Sequence, residues 1–460
     1  MPTLARLTSN IQATGVPLQA RHSFWRDILR DDSMVKVLVV GNGGREHALV
    51  WALLRSANVK QIYCVPGNGG TAALERCHTL KLAIDDFEGI ARFCRVNNVG
   101  LVVVGPEVPL ALGITDYLQQ QKIKVFGPSQ AGAQIEASKA WAKELMLAAG
   151  IPTARAAVFT DLAAAQEYVQ RQGAPIVIKA DGLAAGKGVT VAETIAVATA
   201  ALEACFAGEF GAAGQSVVIE ECLVGQEASI LAVTDGKTIR PLLPAQDHKR
   251  IGEGDTGENT GGMGVYAPAP VVTPEILARV QAEVLEPAIA TLQQRNIPYC
   301  GILYAGLMIT PAGDPQVIEF NCRFGDPETQ AILPLLETPL DTLMLACVNG
   351  RLAEQPPLEW RSGVAACVVL AAAGYPGKYS KGMEISGIAA AESQGVLVFH
   401  AGTQIKRGKL LCEGGRILGV TAVGEDFDQA FERVYKAVEA IQFEGKYFRR
   451  DIGHRVRSKA

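Results

Sequence analysis

The sequence predicts a multidomain chain of mixed α/β and α+β class, with a parallel α/β domain first, a β-rich region after it and a small α+β domain last. Three observations predict this. At 460 residues the chain exceeds what one ordinary core holds. Short apolar runs alternate with Ala-rich stretches of helical length over its first third. At Ser138 the texture then changes to closely spaced strand patterns separated by turn signals.

The runs VKVLVV (35–40), QIYCV (61–65), GLVVV (100–104) and IKVF (123–126) are strands far enough apart to need helical crossovers, hence a parallel sheet within 34–136. SKAWAKELMLAAG is a helix closing on Gly150, with Pro152 just beyond. PIVIKA, GVTVA, SVVIEE and EASILAV follow as strands between 175 and 233. The Gly-, Pro- and charge-rich text of 241–270 predicts long functional loops. A helix from about Pro274 to Arg295 leads to GILYAGLMIT and PQVIEFN, strands joined by the turn PAGD. A helix ending near Asn349, the strands VAACVVLA, VLVFHAG and RILGVTAVG, and a helix from Asp426 to Ile441 complete the chain. Residues 1–26 contain Arg6, Arg21 and Arg26, no acid and no secretory apolar core, so 1–33 is expected to be a disordered leader or the product of a misplaced start codon.

Net charge −4 and a pI near 6.0 provide no basic field for nucleic acid. The uncharged run 362–377 carries Gly and Pro and is too short to span a bilayer, so it is expected to be a buried strand. The ten cysteines occur singly, without a C-x-x-C pair, as in a reduced cytoplasmic protein. Small-molecule partners are therefore expected, with no nucleic acid and no membrane.

KADGLAAGKGV (179–189) concentrates glycine around Lys187. It is not a phosphate loop of the G-x-x-x-x-G-K-[ST] kind: three residues separate Gly182 from Gly186, and Gly188 stands where a hydroxyl residue belongs. Because the segment lies between two strands, it predicts a flap. Its amides can close over a triphosphate that Lys179 reaches, although a flexible hairpin with a solvated lysine fits the same text. GNGGREH (41–47) follows a strand and opens a helix, where Asn42, Gly43 and Gly44 can collect an anion or simply tighten the turn. Glu46 replaces the third glycine of the dinucleotide fingerprint and the second strand lacks its acid, which disfavours NAD.

In VIEFNCRFGDPETQ, Glu319 and Asn321 are two residues apart and share one strand face, with Arg323 next in phase. Oxygen donors in that pattern suit Mg²⁺ bridging a polyphosphate; an exposed polar strand edge is the plainer alternative. Glu220 and Glu221 end a strand whose backbone can read an adenine edge, with Glu227 shortly after. QDHKR (246–250) and NTGGMG (259–264) put charge, His248 and flexible backbone into one loop.

Together GNGGREHAL, VVGPEVPL, KADGLAAGKGV, QDHKR, NTGGMG and RFGDPETQ resemble the ATP-grasp superfamily, and within it the glycinamide ribonucleotide synthetases, over about 34–452. The resemblance implies an ATP-grasp fold of two subdomains over 137–331, with a lid at about 157–224, and a C-terminal domain over 332–460. It implies ATP-dependent ligation of glycine to 5-phosphoribosylamine through glycyl phosphate, with Mg²⁺ or Mn²⁺, in a cytoplasmic monomer or weak homo-oligomer. By the same resemblance, Lys139 and Lys179 hold ATP phosphates under a lid of Gly182, Gly186, Lys187 and Gly188, and Glu220, Glu221, Leu223 and Glu227 border adenine and ribose. Glu319 and Asn321 are the implied metal ligands, and Arg323 clamps the glycine or its acyl phosphate. Asn42, Gly43, Gly44, Glu107, Asp247, His248 and Lys249 fall on the phosphoribosylamine side. A metal-binding acid often present on the preceding strand is missing from GILYAGLMIT. The rival readings are a related ligase or bicarbonate-using carboxylase, and a silent nucleotide-binding module, which would be expected to lack Lys139, Lys179, Glu319 and Asn321.

Overall fold

The computed structural model describes residues 34–183 and 188–458, so the expected leader and the lid residues Gly186 and Lys187 lie outside the described residues. Strands β1 (Val35–Gly41), β2 (Val59–Pro66), β3 (Cys77–Thr79), β4 (Leu101–Val104) and β5 (Val125–Phe126) form a parallel sheet in the order β3-β2-β1-β4-β5. Val37 to Val40 and Leu101 to Val103 are fully buried, as a sheet covered on both faces requires. β3 has no counterpart in the sequence reading, since three residues carry no periodic signal. Helix α1 (Gly44–Leu54) leaves the end of β1 directly.

Helix α2 (Lys139–Ala148) opens the next region, with Ser138 Oγ accepting from Trp141 N at 3.1 Å as its N-cap. β6 (Ala156–Phe159), β7 (Ile176–Ala180), β8 (Val189–Ala192) and β9 (Val217–Glu221) pair antiparallel in the order β6-β9-β7-β8. Helices Leu162–Gln172 and Ile195–Phe206 cover this sheet through Ala165, Val169, Ala198 and Leu202. The strand-loop-strand reading of the glycine segment is thus borne out at both flanks, β7 and β8.

The chain then enters β10 (Gln226–Thr234) and β11 (Ile239–Pro241), and continues through β12 (Gln246–Asp247), β13 (Arg250–Gly252), β14 (Thr256–Asn259) and β15 (Gly264–Ala267). It returns as β16 (Gly301–Ile309) and β17 (Pro315–Asn321), completing the antiparallel order β11-β10-β16-β17. The expected long helix is two shorter ones, Pro274–Val280 and Glu286–Gln294, joined by a π-turn over Gln281–Leu285. Pro287 lacks an N–H for the regular ladder, and the widened turn precedes it.

The final sheet holds β18 (Val364–Ala372), β19 (Leu397–His400) and β22 (Arg416–Gly424), with a small hairpin, β20 (Thr403–Lys406) and β21 (Lys409–Cys412), beside it. Its order is β12-β15-β18-β22-β19. β18 is buried along its whole length, as expected of the uncharged run. Residues 241–270 depart from the expected loop: β12 and β15 add two strands to this C-terminal sheet, pairing through Val265 with Cys367 and Tyr266 with Ala366. Partners a hundred residues ahead and strands of two to four residues leave no local signal. The consequence is functional, because QDHKR and NTGGMG are pinned between two sheets.

Candidate active site

One cavity of about 820 Å³ lies where these sheets converge, lined by residues of the nucleotide, substrate and metal sets predicted from sequence. β7 delivers Lys179 to it. The Lys179 ammonium meets Glu220 Oε2 at 2.7 Å and donates to the Ile318 carbonyl at 2.9 Å. That carbonyl is available because Ile318 is the extra residue of a bulge, β16 pairing Gly306 with Glu319 but Leu307 with Val317. Glu220 also holds Lys143 at 3.0 Å, so alternation turns Glu220 inward while Glu221 pairs with Arg155 at 2.8 Å near the rim.

Lys139 comes from the first turn of α2, where its Nζ donates to the Gly182 carbonyl at 2.8 Å. Asp181 Oδ1 accepts from the backbone N–H groups of Lys139 at 2.6 Å and Ala140 at 3.2 Å, tying the start of α2 to the end of β7. Gly182, Gly188, Leu223 and Glu227 line the same cavity.

On β17, Glu319 and Asn321 both line the cavity, as their spacing predicts. Lys249 stands 3.3 Å from Glu319 and 3.3 Å from Glu227, bridging the two acids. Its ammonium, opposed by burial and joined by Lys179 and Lys139, holds the Glu319 carboxyl down to about 2. Burial works against the charge of Lys249, but Glu227 and Glu319 raise its pKa well above the ordinary value. Gly306 faces Glu319 across the ladder, and a Cβ there would lie 3.1 Å from Glu319 Cγ, so the glycine leaves room for the Glu319 side chain. An ionised carboxylate and an amide oxygen are hard donors that fit a Mg²⁺ or Mn²⁺ ion completed by phosphate and water.

Arg323 reaches Glu107 at 3.3 Å, Glu136 at 2.7 Å and Asn321 Oδ1 at 3.4 Å. Burial opposes the ionised form of Glu107, yet Arg323 and Arg45 hold its pKa below the usual carboxylate value. Asp247 lines the cavity with its pKa raised well above the ordinary value by burial and by the Glu328 carboxylate. His248 also lines the cavity, with its ring buried: Nδ1 sits 3.1 Å from the Gly264 carbonyl and Nε2 accepts from Gly453 N at 3.2 Å. Burial and the nearby Arg455 and Arg449 push its pKa down to about 3, leaving a neutral ring that braces the loop.

The 42–44 loop also departs from the reading as an open anion cradle. Glu46 Oε2 accepts from Gly43 N at 2.5 Å, closing the helix N-terminus with the chain's own carboxylate, and Asp326 Oδ2 accepts from Arg45 N at 3.3 Å. Asn42 O accepts from Asn68 Nδ2 at 2.9 Å, and a Cβ on Gly44 would lie 2.6 Å from Gln330 Nε2. From this segment it is Arg45 that lines the cavity.

Sequence reasoning missed Lys143, Glu136, Asp181, Asp326, Glu328 and Arg416. Lys143 was findable one helical turn after Lys139. Asp326 and Glu328 lie inside the quoted RFGDPETQ without an assigned role. Glu328 is buried and accepts from Tyr304 Oη at 2.9 Å and Ser229 Oγ at 3.0 Å, a pairing across β10, β16 and the following helix that no local pattern encodes.

Comparison with known proteins gives the family. Models of phosphoribosylglycinamide synthetase match in succession: the N domain over 35–136, the ATP-grasp (A) domain over 137–329 and the C domain over 365–455. The phosphoribosylamine–glycine ligase of Nostoc sp. is 67% identical over 425 residues, covering 92% of this chain and 100% of that protein. The solved phosphoribosylamine–glycine ligase of Thermotoga maritima is 34% identical with a TM-score of 0.78, covering 91% of this chain and 100% of the other. The biotin carboxylase domain of Hydrogenobacter thermophilus 2-oxoglutarate carboxylase shares the fold at 16% identity and a TM-score of 0.67, covering 90% and 91% of the two chains. With these matches spanning the described domains, the chain belongs to the phosphoribosylglycinamide synthetase family.

Proposed function

We propose that the chain ligates glycine to 5-phosphoribosylamine with ATP, giving glycinamide ribonucleotide, ADP and phosphate in purine synthesis. One observation carries the reading: three ammonium groups from separate segments, Lys139, Lys179 and Lys249, act on the single carboxylate Glu319. Such a cluster of ammonium groups around one carboxylate suits a polyphosphate and its metal better than it suits a neutral ligand.

In this reading Lys139 and Lys179 take the ATP phosphates, Lys179 exchanging its present bond to Glu220 for one to phosphate. Glu220 to Leu223 border the adenine and Glu227 the ribose. Glu319 and Asn321 hold Mg²⁺ or Mn²⁺, which when bound neutralises phosphate charge as the terminal phosphoryl group moves to the glycine carboxylate. Arg323 orients that carboxylate and the acyl phosphate it becomes. Residues 182–188 close over the intermediate and keep water from it until the amine attacks carbon and phosphate leaves. No side-chain nucleophile is needed. The domain division that accompanies this reading is 34–136, 137–331 and 332–460, the strands at 246–267 lending two members to the last sheet.

The test is ADP release with phosphoribosylamine formed in place from ribose 5-phosphate and ammonia. Release is expected only when glycine and phosphoribosylamine are both present. Release with bicarbonate in place of glycine would make the chain a carboxylase instead.

A further inference from the structure

Arg416 starts β22 in the C-terminal sheet, yet its guanidinium is spent inside the cavity wall. Nη1 donates to the carbonyls of Gly261 at 2.6 Å, Asp326 at 2.8 Å and Gly262 at 3.5 Å, and Nη2 stands 3.4 Å from Asp326 Oδ1. Asp326 passes the connection on, because its Oδ1 accepts from Gln330 Nε2 at 2.8 Å and its Oδ2 from Arg45 N at 3.3 Å. One side chain thereby joins NTGGMG, RFGDPETQ and the first turn of α1, three segments drawn from three parts of the chain.

The glycines fit this contact. A Cβ on Gly261 would lie 2.9 Å from Arg416 Cζ, and Gly262, at φ +114°, would press a Cβ to within 2.7 Å of Asp247 Oδ1. Only a planar fork can serve several acceptors at fixed angles, so lysine is no substitute. The nucleotide residues sit elsewhere, on α2, β7 and β9.

We propose that Arg416 is a positioning residue for the acceptor amine, a phosphorylated aminosugar, by clasping the two loops beside Asp247 and, through Asp326, the first turn of α1 with its cavity-lining Arg45. The proposal rests on the functional reading above and adds a residue to it. The clasp acts on the binding of one substrate and leaves the ATP end alone.

The experiment compares wild type with Arg416→Gln, Asp326→Asn and the double variant, measuring KM for each substrate and the melting temperature. The expected result is a phosphoribosylamine KM raised about tenfold or more in each single variant, with ATP and glycine KM values within about twofold of wild type. The double variant is expected to be little worse than either single one, since both break the same clasp. Asp326→Asn keeps the carbonyl contacts and so remains informative if Arg416→Gln fails to fold. Unchanged KM values with a lower melting temperature would overturn the proposal, as would an equal rise in the ATP KM. A wild-type chain that releases no ADP with both substrates would overturn the functional reading, and the clasp proposal with it.

Discussion

Lys179 is the most exacting single position, because it is buried, paired with Glu220 and aimed at a bulge carbonyl. Replacing it with alanine should lower turnover by about 10²–10³-fold, the usual cost of losing one fixed charge-stabilising donor, and should raise the ATP KM. The fold should survive, since Lys143 still pairs with Glu220; steady-state kinetics beside circular dichroism check both statements, and wild-type kinetics would refute the assignment. At Glu319, glutamine removes the charge that Lys249 stabilises, so half-maximal activity should need more Mg²⁺. An unchanged magnesium titration would exclude Glu319 as a ligand. Both residues were legible in the sequence because a strand's period of two puts Glu319 beside Asn321, and Lys179 ends a strand before glycines. The bond that Gly453, 205 residues away, gives to His248 was not legible, since charge and loop length say nothing of so distant a partner.

Among the elements, the end of β7 and the start of α2 are tied together. Asp181 caps α2 from outside the helix, accepting from Lys139 N and Ala140 N, while Lys139 Nζ returns to Gly182. Asp181→Ala should cost about 1 kcal/mol, as the loss of a helix cap does, and should raise the ATP KM because Lys139 loses its anchor. Thermal unfolding and ATP titration measure the two effects, and a changed melting point with an unaltered ATP KM would separate the cap from the site. Strand and helix identities were readable wherever a segment was long and periodic, as for β7, β9, β16 and β17. The short strands β12 and β15 were not, because their pairing is decided by β18, far along the chain.

For the molecule as a whole, the N-terminal and C-terminal parts meet through two buried histidines. His400 N donates to His47 Nδ1 at 2.8 Å, the rings lie 5.4 Å apart, and Asn68 Nδ2 donates to the His400 carbonyl at 2.7 Å. Burial, and for His47 also His400, lowers their pKa values from 6.5 to about 3 and about 4. Below pH 6.5 the unfolded chain takes up protons that the folded chain refuses, so their stabilisation is complete above that pH and is lost as the pH falls toward those lowered values. At pH 5 the loss is on the order of 2 kcal/mol per histidine. Melting temperature should therefore drop between pH 7.5 and 5.0, and drop less in His47→Gln; equal drops would refute the role of His47. The contact joins residues 353 apart, and nothing in their local sequence announces it.

The most direct measurement is a crystal structure with a non-hydrolysable ATP analogue, divalent metal and glycine. The account predicts the triphosphate between the β7–β8 hairpin and β17, with the Lys139 and Lys179 ammonium groups within about 3 Å of phosphate oxygens and Lys179 released from Glu220. A triphosphate bound away from both lysines, with the Lys179–Glu220 pair intact, would contradict it.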